Sequence, residues 1–98
     1  MKTNPENQEY HFLKNSIKNN QRILKSYLNE VVISETSIID YLRLYRKAKF
    51  EGNKKLSDFL KKEISWWRIQ LADAKKEIEF YKKSIENKRR QLLLISNK

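Results

Sequence analysis

Apolar side chains recur along this chain at alternating steps of three and four residues. In the first half the series is Tyr10, Leu13, Ile17, Leu24, Tyr27, Val31, Ile38, Tyr41, Tyr45 and Ala48, with Asn20 and Ser34 filling its two gaps. In the second half it is Leu60, Ile64, Trp67, Leu71, Ala74, Ile78, Tyr81, Ile85, Leu92 and Ile95, with Lys88 in its one gap. A 3,4 alternation held this long is a heptad seam, the mark of helices that pack along their length. The only glycine, Gly52, stands between the two series in the stretch "FEGNKK". It suits a left-handed cap, with Lys47 and Lys49 facing the negative end of the first helix. Asn53 or Ser57 can cap the second helix, Asp58 falling in the first turn if Ser57 does. Near the start, Pro5 fits a first helical turn, with Asn4 as cap and Glu6 and Glu9 favourable there.

The pattern predicts an all-α chain that doubles back once at residues 51–53 to form a long antiparallel helical hairpin. The second helix, over residues 54–95, is about 43 residues and roughly 65 Å long at 1.5 Å per residue. With equal rise on both arms, facing residue numbers sum to about 103. Tyr41 then lies near Lys62, and Tyr10 near Leu93. "VVISETS", Val31 to Ser37, disturbs this picture because β-branched and hydroxyl side chains crowd it and Ser34 or Ser37 can cap a new helix. The seam keeps its phase across that stretch, which favours continuity. The reading preferred from composition is a break: a helix over 5–32, a kink or loop at 33–36, and a helix over 35–50, making a three-helix coiled-coil-like bundle.

"EISWWRIQL" poses a further question, since neighbours on a helix point about 100° apart. Trp67 belongs to the seam and Trp66 does not. Phe59, Trp66, Phe80 and Leu94 share one heptad position, with Ile69 nearby, so the long helix carries a second apolar face. Large apolar side chains in line are seldom left bare on a small monomer. The covers considered are the middle segment folded over as a third helix, a second copy in a four-helix dimer, or a docked partner protein. Phe59, Trp66, Ile69 and Phe80 are therefore the candidate partner-binding residues.

Composition narrows the class. Ninety-eight residues make one domain with a thin core. One Gly and one Pro leave too little turn chemistry for a sheet protein. Cysteine is absent, which removes disulfides and thiolate metal sites. No apolar run approaches a membrane span, and the first residues lack a signal-peptide core, so a cytoplasmic location is expected.

Charge adds a candidate chemistry. The formal net charge is +10, which favours nucleic acid, an acidic protein surface or anionic lipid, although lysine richness shared with an Asn- and Ile-rich composition accounts for part of it. Lys14, Lys18, Arg22 and Lys25 form one helical stripe with no acid among them. Lys82, Lys83, Lys88, Arg89, Arg90 and Lys98 gather in the last residues, so a hairpin puts about +9 at its open end. The turn end carries +5 and the middle is slightly acidic. Arginine is sparse at six against sixteen lysines, so nucleic-acid contact would be to the backbone.

Catalytic equipment is not evident. His11 is the only histidine and has no acid–nucleophile constellation beside it, no phosphate loop is possible with one glycine, and no paired di-metal motif occurs. No enzyme activity, cofactor, metal or small-molecule substrate is expected. Phe50-Glu51-Gly52, at mid-chain in a hairpin of this length, resembles the Trp-x-Gly turn of the small helical proteins exported by type VII secretion, with Phe in place of Trp. That resemblance implies a secreted hairpin. The Tyr-x-x-x-Asp/Glu signal of those proteins is missing, because Ile85 follows Tyr81 at the fourth position. The reading that leads is a small basic interaction module, an accessory or inhibitory protein of phage or mobile-element type, docking on an acidic partner. A sequence-nonspecific nucleic-acid-binding helical dimer is the alternative, and the type VII hairpin stands third.

Overall fold

The computed structural model describes the backbone of residues 5–96 and the side chains of residues 8–96. The Asn4 cap, the Glu6 side chain and Lys98 lie outside the described residues. Two helices make up the fold: α1 (Pro5–Phe50, 46 residues) and α2 (Lys54–Ser96, 43 residues). They form one antiparallel hairpin with principal extents of 74 × 22 × 14 Å.

The three-helix expectation is corrected, because α1 runs without interruption through "VVISETS". The hydroxyls there do not act as caps. Thr36 donates from Oγ1 to the Val32 carbonyl at 2.8 Å, one turn back, which satisfies the hydroxyl inside a helix. Ser34 takes a seam position and is buried against α2. Tertiary packing of an unbroken seam outweighs weak local propensity, as it commonly does in long helices.

The turn closes as a Schellman motif. Asn53 N donates to Ala48 O at 2.9 Å and Gly52 N to Lys49 O at 3.1 Å. Gly52 has φ of 71°, the left-handed region that costs a side chain strain. Asn53 then caps α2, its Oδ1 accepting from Leu56 N at 3.1 Å. Ser57 is instead the first buried seam residue of α2, with its hydroxyl bonded to the Lys54 carbonyl. Phe50 is 94% exposed, so it ends α1 without packing on the hairpin.

Every seam position of both helices is buried or half-buried. The buried apolar core is Leu13, Ile17, Ala48, Leu60, Ile64, Ala74, Ile78 and Ile85. Tyr27 stacks on Tyr81 with centroids 6.0 Å apart and an interplanar angle of 22°. Two polar layers fix the register at the open half: Asn20 Nδ2 donates to Ser84 Oγ at 2.9 Å, and Lys88 Nζ to Ser16 Oγ at 2.6 Å. In both pairs the residue numbers sum to 104, one more than equal rise predicts.

Space is open where a Cβ at position 52 would sit, so replacing this glycine costs conformation alone. Gly52→Ala should lower stability by about 1 kcal/mol, with a smaller loss for Gly52→Asn, which tolerates the left-handed region better. Urea unfolding followed by circular dichroism measures both.

Candidate functional site

The seam gives each side chain an address. With the seam as heptad positions a and d, the two helices of an antiparallel pair turn their g and c positions to one broad side of the hairpin and their e and b positions to the other. Polar contacts and grooves agree with this assignment. Ser16 and Ser84, both at g, bond across to d residues. Ile33, Glu30, Trp66 and Gln70 line one groove on the g/c side, and Phe12, Phe80 and Asn87 line another. Leu42, Lys61 and Arg68 line a groove on the e/b side, as do Gln21, Lys82 and Arg89.

The g/c side is apolar and acidic. Phe59, Trp66, Phe80 and Leu94 of α2 occur there with Phe12, Ile33 and Leu44 of α1, all at least half exposed. At positions g and c its charges are Glu9, Glu30, Asp40, Glu63, Asp73 and Glu77 against Lys47, and toward the open end Lys83 and Lys88 reach the groove beside Phe12 and Phe80. Trp66 packs edge-on against Trp67 with centroids 4.8 Å apart, so the second indole rests on the seam indole and shows its other side to the groove. The Trp67 Nε1–H is buried and has no acceptor among the described residues, an uncommon state for a buried donor. Of the four candidate partner-binding residues, the fold brings Phe59, Trp66 and Phe80 to this side. Ile69 is separated from them, exposed on the outer edge of α2 at position f.

The e/b side is basic. Lys14, Lys18, Lys25, Arg46 and Lys49 of α1 lie there, beside an apolar stripe of Leu28, Val32, Ile39 and Leu42. From α2 comes a feature that counting charges by region misses. Written in heptads from Lys54, the helix reads KKLSDFL KKEISWW RIQLADA KKEIEFY KKSIENK RRQLLLI. The first two places of each heptad are positions e and f, and eleven of these twelve are Lys or Arg. All twelve are exposed. They form a double row of cations about 54 Å long, at 1.5 Å per residue from Lys54 to Arg90. Only Arg90 is paired with a carboxylate among the described residues, with Glu86 one turn back. Six repeats of seven are visible in the sequence once the seam sets the frame.

The open-end cations are brought together in part. Lys82, Lys83, Arg89 and Arg90 belong to the α2 ridge, and Lys14, Lys18 and Lys25 share its side of the hairpin. Arg22 is on the outer edge of α1, held by Asn19 Oδ1 at 2.7 Å. Lys14 lies over the Tyr10 ring, 5.1 Å from its centroid. Lys88 is half-buried in the seam and committed to Ser16, so it acts as a register residue and not as a free cation.

Among the described residues no group of three or more His, Asp or Glu side chains is placed to hold a metal ion, and no helix is long and apolar enough to cross a membrane. No family model matches this chain, and neither a curated protein nor a solved structure matches it.

One titration is perturbed at the seam. The Tyr27 phenol is held above its ordinary value, first by burial and then by the negative field of Glu77, with Tyr81 and Glu30 adding to it. A raised folded-state value means that the neutral phenol is favoured by folding, so this contribution is intact below about pH 10 and is lost as pH rises beyond it. Tyr27→Phe should therefore lose less thermal stability than the parent between about pH 9 and 11, a difference read from paired melting curves.

Proposed function

We propose that this chain is a non-enzymatic binding rod that holds nucleic-acid backbones, without sequence preference, along the cation ridge of α2. One observation carries the reading: eleven exposed cations in register over six heptads, ten of them without a carboxylate partner among the described residues. A ridge of this composition suits a polyanion better than an acidic globular protein. Protein interfaces are depleted in lysine and draw their affinity from a desolvated aromatic or arginine centre. The ridge is lysine-rich, and Ile69 is its only apolar member. Phosphate binding needs no such centre, since its free energy comes from counterion release. The ridge also has no aromatic ring for base stacking, so contact is to phosphate and not to bases. A nucleic-acid partner fits the cytoplasmic location expected from the sequence.

The interaction-module reading keeps support from the opposite side of the rod. Trp66, Phe59 and Phe80 lie at least half exposed, and Trp66 rests on Trp67, whose N–H has no acceptor among the described residues. Aromatic side chains of this kind are enriched in protein interfaces. On this reading the hairpin docks by its g/c side and the ridge serves the anionic partner, so the two readings describe one molecule with two working surfaces.

Mixed-sequence single- and double-stranded nucleic acid should bind at about 50 mM salt and be released steeply toward 0.3 M. Replacing Lys55, Lys62, Lys76 and Lys83 by Gln removes four cations at position f alone. That variant should bind at least tenfold more weakly and reduce the slope of log K against log salt by about 3. Electrophoretic mobility shifts and fluorescence anisotropy measure both quantities. No binding at 20–50 mM salt, or an unchanged slope in the four-site variant, overturns the reading.

A further inference from the structure

The two broad sides of this hairpin are electrostatic opposites, and each carries apolar side chains. The g/c side has six acids against one cation, and the e/b side has eleven cations against four acids. We infer that the g/c side of one hairpin docks on the e/b side of a second copy, giving an open-ended stack of rods.

The charge pattern decides the pairing. A closed two-fold dimer presents the same patch from both copies. Through the g/c side it would bring Glu30, Asp40, Glu63, Asp73 and Glu77 of one copy against the same acids of the other; through the e/b side it would oppose two cation rows. Like charges across an interface cost several kcal/mol. Pairing unlike sides turns both penalties into attraction.

The axial positions also match. By the observed register, in which facing numbers sum to 104, Asp73 lies beside residue 31, Glu77 beside 27 and Glu63 beside 41. Five of the six acids of the g/c side, all but Glu9, therefore cluster about the middle of the rod. On the e/b side the apolar stripe from Leu28 to Leu42, interrupted by Glu35, occupies that same middle, flanked by Lys61, Arg68 and Lys75 from α2. Trp66 and Ile33 thus meet an apolar stripe, and the acids around them meet cations. A face 74 Å long and 22 Å wide readily supplies the roughly 800 Å² per partner of a standard interface.

The two sides lie on opposite broad surfaces of one hairpin, so a copy docked on one leaves the other free. This is a heterologous contact that does not close, and it propagates. The position f cations of α2 stay on the outer edge of each rod and remain available along the stack. Self-association and phosphate binding are therefore separable by mutation.

Sedimentation velocity on the full chain, freed of nucleic acid, tests the inference. The mean mass should rise with concentration at about 50 mM salt beyond three times the 11.9 kDa monomer, and fall as salt approaches 0.5 M. Two charge-reversal variants, at positions that are exposed except for the half-buried Glu63, sharpen the test. Glu63→Lys with Asp73→Lys and Glu77→Lys makes the rod basic on both sides; Lys61→Glu with Arg68→Glu and Lys75→Glu reverses the middle of the other side. Each variant alone should remain monomeric and helical, and mixing the two should restore association, since each retains the native side that the other needs. The inference is overturned if the parent stays monomeric to about 1 mM, if its mass stops at a dimer, if either variant associates as the parent does, or if the mixture stays monomeric. The four-site Gln variant should stack like the parent, so a loss of nucleic-acid binding there leaves this result standing.

Discussion

Two helices of nearly equal length share one line of contact, and the phase of that line decides where every other side chain goes. The line is thin: each helix contributes a single seam, and no large side chain in it is completely sealed from solvent. Apolar packing of this kind tolerates sliding by a heptad, because one Leu or Ile layer resembles the next. The Asn20–Ser84 and Ser16–Lys88 pairs mark the observed register, since a slip by a heptad breaks both hydrogen bonds. The Schellman turn at Gly52 and the Asn53 cap fix the same register from the closed end. Both ends of the rod are thereby set independently.

The phase of the seam also makes the cation ridge possible. On a straight α-helix a strict seven-residue repeat drifts by about 20° per heptad, so six repeats would wind roughly a third of the way round. Helices coiled about each other underwind to 3.5 residues per turn, and a given heptad position then keeps its place relative to the partner. The cations at e and f follow the seam because they share its period. Repulsion along the ridge is tolerated because the side chains are long and exposed, and because salt screens them over about 8–10 Å.

With one seam occupied, the rest of the surface has no internal partner. Among the described residues fourteen large apolar side chains are substantially exposed, more than the buried core contains. They are distributed with the charges, so that apolar groups on one broad side sit among acids and those on the other among bases. A hairpin of this construction has a charge asymmetry across its thickness as well as a continuous cationic edge. Its working surfaces follow from how the seam partitions the remaining heptad positions.

The all-α class, the turn, the second helix and most of the seam were legible in the sequence; the continuity of the first helix was not. Three-four spacing from Tyr10 to Ile95 identified every buried position but Ser57, which read as a cap, and Gly52 marked the reversal, because periodicity and left-handed backbone are local properties that residue type reports directly. "VVISETS" misled for the complementary reason: its hydroxyls offer capping that only the presence of α2, burying Ser34, makes unfavourable. Ile69 was grouped with Trp66 by proximity along the chain, yet the partner helix separates an outer edge from a broad side. The cation heptads were equally present in the sequence, but reading them as one ridge needed the seam as a frame. Which surfaces oppose each other, and that one is acidic and its reverse basic, was settled only when α1 lay against α2, because the side a residue occupies in a pair of helices is defined by the partner and not by its own helix.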